Sequence, residues 1–259
     1  MRNIKLEIEY EGTDFRGWQI QNSHRSSVAG HRSRTIQETI EAVLAQILQE
    51  KVKAIASGRT DSGVHAFSQV VNFKTSAKFP LIKIKKALNS LLPEGISVKK
   101  ISSALDSFHS CRSARYKTYR YIIANSESPQ VFLRKFSWHI PYKLDVPLMR
   151  QEARVLSGRH DFKSFCASGS SAKTTVRTIK KISIKISRLP PLGGNLILID
   201  IKAGGFLYNM ARNIVGTLVE IGRGRIKKRS LGKILHSKDR KKAGPTAPAR
   251  GLFLAKVTY

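Results

Sequence analysis

Ile4, Leu6, Ile8 and Tyr10 alternate with polar residues at the head of the chain, the period of a strand with one buried face. Over residues 35–49 the period becomes helical, with Ile36, Ile40, Val43, Leu44 and Ile47 on one side. Thr35 and Glu38 stand at capping-box spacing at its start. VKAIA (52–56) and QVVNFK (69–74) return to strand character and leave the stretch between them as a loop. Pro80 opens a second helix carrying Leu81, Ile84, Leu88 and Leu91, which Pro93 and Gly95 close. ISVKKI (96–101) is a further strand. The order strand, helix, strand, strand, helix, strand is that of the split βαβ, ferredoxin-like unit.

The second half repeats the theme without a visible sequence repeat. YKTYRYIIA (116–124) reads as a strand, and Asp145 caps a helix with Pro147 in its first turn that stops near Gly158. TVRTIKKISIKIS and NLILIDIKA alternate as strands joined by a turn at PPLGGN. A helix is predicted from about Phe206 to Ile221, and Phe253, Ala255, Val257 and Tyr259 alternate in a last strand. The expectation is an α+β protein of two ferredoxin-like halves, 1–110 and 111–259, with joined antiparallel sheets and a basic cleft between them.

Charge narrows the partner. The 259 residues include 47 Lys and Arg against 17 Asp and Glu, a formal net charge of +30 spread over both halves. Such a field attracts a polyanion with salt-sensitive affinity. The segment 22–34 has Ser, Arg and His but no acid, and reads either as a mobile basic loop that grips phosphates or as a plain solvated loop. Residues 223–242 read as a short helix whose basic flanks suit nucleic acid contact, with a merely solvated face as the alternative. No apolar run reaches membrane-spanning length, and the first residues read as a strand rather than a signal peptide. The two cysteines, Cys111 and Cys166, form no C-x-x-C pair. A reduced, cytoplasmic setting is expected.

Several chemistries drop out. The seven histidines are scattered, and His160 next to Asp161 points away from it on a regular element, so no metal is expected. Neither a phosphate-binding P-loop nor a dinucleotide fingerprint is present, and no serine elbow appears. What stands out is ASGRTDSGVHA (56–66), where Asp61 is the one acid between Glu50 and Glu94. Asp61 either fixes the turn, by an Asx-type bond or an ion pair with Arg59, or works on a ligand. Gly58 and Gly63 permit close backbone approach. In a positive groove holding RNA, the carboxylate would act as nucleophile or base on a flipped nucleotide. Tyr119 and Tyr121 share one face of a basic strand, with Tyr116 on the other, where a tyrosine serves either as core or as a stacking platform for a base. Gly204 and Gly205 precede a helix start, read either as a plain strand-to-helix turn or as a place where free N–H groups and Arg212 would meet a phosphate.

These residues fall in an order that resembles the TruA type of tRNA pseudouridine synthase. The matching stretches are YEGTDFRGWQIQ at 10–21, TIQE at 35, GRTDSGVHA at 58, QVVNF at 69 and LN…LLPEGISV at 88–98. FHSCRSARYKTYRY at 108, SGRHDFKSF at 157 and TVRTI at 175 follow, then AGGFLYNMARNIVGTLVEIGRGR at 203 and AGPTAPARGLFL at 243. The resemblance implies a catalytic Asp61 that needs no cofactor or metal. It implies an enzyme that detaches uracil from its ribose, turns the base and rejoins it through carbon. The substrate it implies is uridine in the anticodon stem-loop of tRNA, conventionally positions 38 to 40. Tyr119 matches the tyrosine that stacks on the target base, Arg59 the arginine that pairs with the aspartate and holds the nucleotide out, and Leu252 an apolar residue at the pocket border. A homodimer is implied, each tRNA touching both subunits. Cys111 stands where the family has Arg, Arg112 where it has an aromatic, and Ala211 where Val is common. The rival readings are a non-catalytic RNA-binding protein and a pseudouridine synthase acting on another RNA.

Overall fold

A computed structural model of the chain describes residues 1–20, 34–188 and 194–259. Its contacts divide into two compact units, Met1–Arg115 with Leu254–Tyr259, and Tyr116–Phe253. The basic segment 22–34, apart from Arg34, and most of the PPLGGN turn lie outside the described residues.

In the first unit, β1 (Arg2–Tyr10) is flanked by two antiparallel neighbours, β3 (His65–Thr75) and β4 (Ile96–Ala104). The short β2 (Ile55–Ala56) pairs antiparallel with β3. The alternation read from the sequence is the burial pattern observed: Ile4, Leu6 and Ile8 are wholly buried. So are Ile36 and Leu44 of α1 (Ile36–Leu48) and Ile84 and Leu88 of α2 (Leu81–Leu91). Both halves of the Thr35/Glu38 capping box form. Thr35 Oγ1 accepts from the Glu38 N–H, and the Glu38 carboxylate accepts from the Thr35 N–H at 2.8 Å.

The strand expected over 52–56 is cut to two residues. The reason lies in α1. The Ala54 N–H donates to Glu41 Oε1 at 2.9 Å and its carbonyl accepts from Gln37 Nε2 at 3.4 Å. Helix side chains thus occupy the backbone groups that a partner strand would have used.

In the second unit, β5 (Tyr116–Asn125), β9 (Asn195–Ala203), β8 (Val176–Arg188) and β7 (Gly158–Asp161) follow one another as antiparallel neighbours. The three-residue β6 (Trp138–Ile140) runs parallel to β5. Helices α3 (Val146–Ala153), α4 (Met210–Gly222) and α5 (Leu231–Ser237) complete the unit. Asp145 caps α3, its carboxylate accepting from the Leu148 N–H at 2.9 Å. That helix ends at Ala153, short of Gly158, and a 3₁₀ turn (Arg154–Leu156) leads into β7. Gly158, at φ 106, opens that strand rather than closing the helix. The helix expected from Phe206 begins at Met210 because Asn209 sits at φ 57, in the left-handed region. The last strand, β10 (Leu252–Thr258), carries the chain from the second unit back to the first.

Candidate active site

The turn bearing Asp61 is held on both sides by buried polar bonds. Before it, the Ser57 N–H donates to the Val70 carbonyl at 2.8 Å, Ser57 Oγ donates to Gln69 Oε1 at 2.7 Å, and Gln69 Nε2 donates to the Gly58 carbonyl at 2.8 Å. Thr60 is buried, with its Oγ1 2.8 Å from the Tyr10 hydroxyl, and its carbonyl accepts from the Trp18 N–H at 3.0 Å. Beyond it, the Val64 N–H closes back on the Asp61 carbonyl at 3.1 Å, and Gly63 takes φ 75 in the bend. His65 is buried and its Nδ1 accepts from the Gly12 N–H at 3.0 Å. Asp61 itself is half-buried at the apex.

Two glycines distant in sequence make this packing possible. A Cβ on Gly12 would lie 2.0 Å from the Val64 carbonyl oxygen, and one on Gly17, at φ 80, would lie 2.7 Å from that of Thr60. The stretch YEGTDFRGW is therefore the socket of the Asp61 turn, a role its sequence did not announce. Tyr10, Thr60, His65 and Gln69 were missed as supports for the same reason. Burial pushes the Tyr10 hydroxyl up to about 12, partly offset by its bonds to Thr60 and Gln69.

Arg59 is exposed, and among the described residues no ion pair or hydrogen bond holds its guanidinium. The other residues singled out from sequence lie in the second unit. Tyr119 is buried on β5, on the face it shares with Tyr121, and Phe206 meets its ring edge-on at a centroid distance of 4.7 Å. Phe206 escaped notice because it read as the first turn of a helix. Tyr116, on the opposite face, has the Lys202 ammonium 4.9 Å from its ring centre.

Arg212 is on the first turn of α4, and its Nε donates to the Ala247 carbonyl at 2.7 Å and its Nη1 to Asn209 Oδ1 at 2.8 Å. The Tyr121 hydroxyl donates to the Pro248 carbonyl at 2.7 Å, and burial raises its pKa. These two bonds fix the segment leading through Gly251 to the buried Leu252. Gly251 is required there, since a Cβ would fall 2.6 Å from the Tyr121 ring. Arg212 thus ties the 247 backbone to the first turn of α4.

His160 and Asp161 are both held by local contacts. His160 bonds the Ser157 carbonyl. Asp161 accepts from Thr175 and pairs with Lys238 at 3.2 Å, contacts that hold its carboxyl below the usual range, the Thr175 bond foremost. Among the described residues no group of His, Cys, Asp and Glu is placed to hold a metal, and no helix is long and apolar enough to cross a membrane.

Comparison with known proteins gives this arrangement a family. The chain is 44% identical over its full length to tRNA pseudouridine synthase A of Thermoanaerobacter sp. (strain X514), all of which is covered. Identity to the protein of the same name from Caldicellulosiruptor bescii is 45%, and to tRNA pseudouridine synthase A 2 of Clostridium perfringens 42%, each again over the whole of both chains. The family model described as tRNA pseudouridine synthase matches residues 8–112 and 153–259, taking in the Asp61 turn, the α4 start and the segment around Leu252. The chain belongs to the tRNA pseudouridine synthase family.

Proposed function

We propose that this chain isomerises uridine to pseudouridine in the anticodon stem-loop of tRNA, at positions 38 to 40, with Asp61 as the catalytic carboxylate. The observation that carries the reading is the Asp61 turn. A half-buried carboxylate stands at the apex of a loop whose neighbours on both sides are pinned by buried hydrogen bonds. Such preorganisation has a use when a reacting atom must be met at a fixed place.

In the reaction the N1–C1′ bond of the nucleotide breaks and a C5–C1′ bond forms. The proton on C5 leaves and N1 gains one, so atoms and electrons balance without a cofactor. Tyr119, its ring braced by Phe206, stacks on the target base. The exposed guanidinium of Arg59 holds the flipped nucleotide. Leu252 borders the base and Arg212 keeps its segment in place. The protein works as a cytoplasmic homodimer of chains whose halves are ferredoxin-like. The order β4-β1-β3 with β2 on β3 supports that description for the first unit.

The test is a product map. Purified protein is incubated with unmodified tRNA and pseudouridine is located by sequence position. Wild type should convert the anticodon-arm uridines and Asp61→Asn should convert none while binding the same tRNA. Conversion by Asp61→Asn would remove the aspartate from its role, and binding without conversion by wild type would leave an RNA-binding protein.

A further inference from the structure

The segment after β4 is fastened to the first unit by a chain of buried amides. Asn3 Nδ2 donates to the carbonyls of Leu105 and Phe108 at 2.8 and 2.9 Å, and Asn3 Oδ1 accepts from Asn72 Nδ2 at 3.0 Å. Asn72 Oδ1 accepts in turn from the Ser110 N–H at 2.9 Å. Asn3 and Asn72 are almost wholly buried and Ser110 is completely so, which makes this loop a rigid support. His109 is fixed on it. Its Nδ1 accepts from the N–H groups of Cys111 and Arg112 at 3.2 and 3.3 Å. With Nδ1 an acceptor, the neutral ring carries its proton on Nε2, a directed donor.

Beside the loop opens a hollow of about 530 Å³. Lys51, Lys53, Lys74 and Arg112 line it with His109, and Asp106 is the one acid among its lining residues. Among the described residues none of these four cations makes an ion pair or a side-chain hydrogen bond. They converge from three separate stretches of chain onto one concavity, where their mutual repulsion is relieved by an anion. No residue of the 57–64 turn lines it. The arginine displaced by one place from the family pattern, Arg112, stands on this hollow.

We propose that the hollow is a second RNA-backbone site, which holds phosphodiester groups of the substrate tRNA outside the Asp61 turn. His109 Nε2–H and Arg112 give directed bonds and the three lysines give charge. The proposal rests on the reading of the chain as a tRNA-modifying enzyme. Phosphate chemistry alone would also suit a small phosphorylated ligand, so the experiment has an arm for each source.

Full-length Lys53→Gln/Lys74→Gln and Arg112→Gln proteins are compared with wild type and with Lys83→Gln/Lys86→Gln, a matched charge loss on α2, after melting curves establish folding. Binding of an unmodified tRNA transcript is measured from about 50 to 200 mM salt. The hollow variants should bind about fivefold more weakly and lower the salt slope by about one for each phosphate they no longer neutralise. Their KM should rise with kcat unchanged, and the α2 pair should keep the wild-type slope. Equal effects of the hollow and α2 variants, or none at the hollow, would overturn the proposal. In the second arm pyrophosphate is titrated while the His109 ring signals are followed. Saturable binding there with tRNA affinity unchanged in the hollow variants would assign the site to a small ligand and overturn the RNA assignment. Absence of pseudouridine from the wild-type reaction would strike the enzymatic reading alone, since the binding comparison stands without turnover.

Discussion

Asp61 draws its position from buried hydrogen bonds made by its neighbours in the chain and by residues far from it in sequence. The Thr60 hydroxyl bonded to Tyr10 and the Gly58 carbonyl bonded to Gln69 leave the 58–61 backbone little freedom. Asp61→Asn should therefore cost about 10³-fold or more in turnover and leave the melting temperature close to wild type. Tyr119→Phe keeps the aromatic face and should retain most of the rate, whereas Tyr119→Leu should lose considerably more in single-turnover assays; equal losses would argue against stacking. Tyr10 also sets an alkaline limit. The fold favours its neutral phenol, with a pKa raised from 10.0 to about 12. The unfolded chain therefore loses the proton first. This stabilisation is whole below about pH 10 and is lost as the pH rises toward about 12. Urea midpoints measured from about pH 8 upward should fall beyond pH 10, and the decline should be shallower in Tyr10→Phe. Burial moves Tyr121 and Tyr259 in the same direction, so the decline should not vanish.

At the scale of elements, close approaches decide more than propensities. Gly216 of α4 faces the Pro245 carbonyl, where a Cβ would lie 1.8 Å from the oxygen. Around it, the buried Asn213 and Thr217 bond the chain of 240–246: Thr217 Oγ1 accepts from the Gly244 N–H at 2.9 Å, and Asn213 Oδ1 accepts from Thr246 and Arg240. Gly216→Ala should destabilise the protein by about 3 kcal/mol, read from denaturant curves. Gly12→Ala should act on function instead. Displacing the Val64 backbone shifts the Asp61 turn, and a misplacement near 1 Å costs about 10²-fold in rate. A wild-type rate in a folded Gly12→Ala protein would show that the socket does not position the carboxylate. The helices themselves were legible, because stripes such as Ile36–Ile40–Leu44 and the Thr35/Glu38 box are local signals. Strand β2 was overread because Glu41 and Gln37, a helix away, satisfy the Ala54 backbone, and the α4 start was overread because nothing local marks Asn209 as left-handed.

For the whole molecule the governing quantity is the net charge of +30. Association with tRNA should be fast and strongly screened. Between about 50 and 200 mM salt, kcat/KM should fall by at least about tenfold while kcat holds. A flat salt profile would mean that phosphate contacts are few.

The sequence by itself determined the order of the longer strands and helices but not the short β6 and β7. It also determined the buried faces of β1, α1 and α2 and the Asp61 turn, because periodicity, caps and turn chemistry act within a few residues of each other. Its collinear motifs also carried the family. Only the tertiary structure decided what holds Asp61, why Gly12, Gly216 and Gly251 admit no side chain, that Arg212 ties the segment before Leu252, and that four cations meet beside His109. Each of these is a contact between residues far apart in the chain, whose distances are fixed by packing and by the need to satisfy buried polar groups.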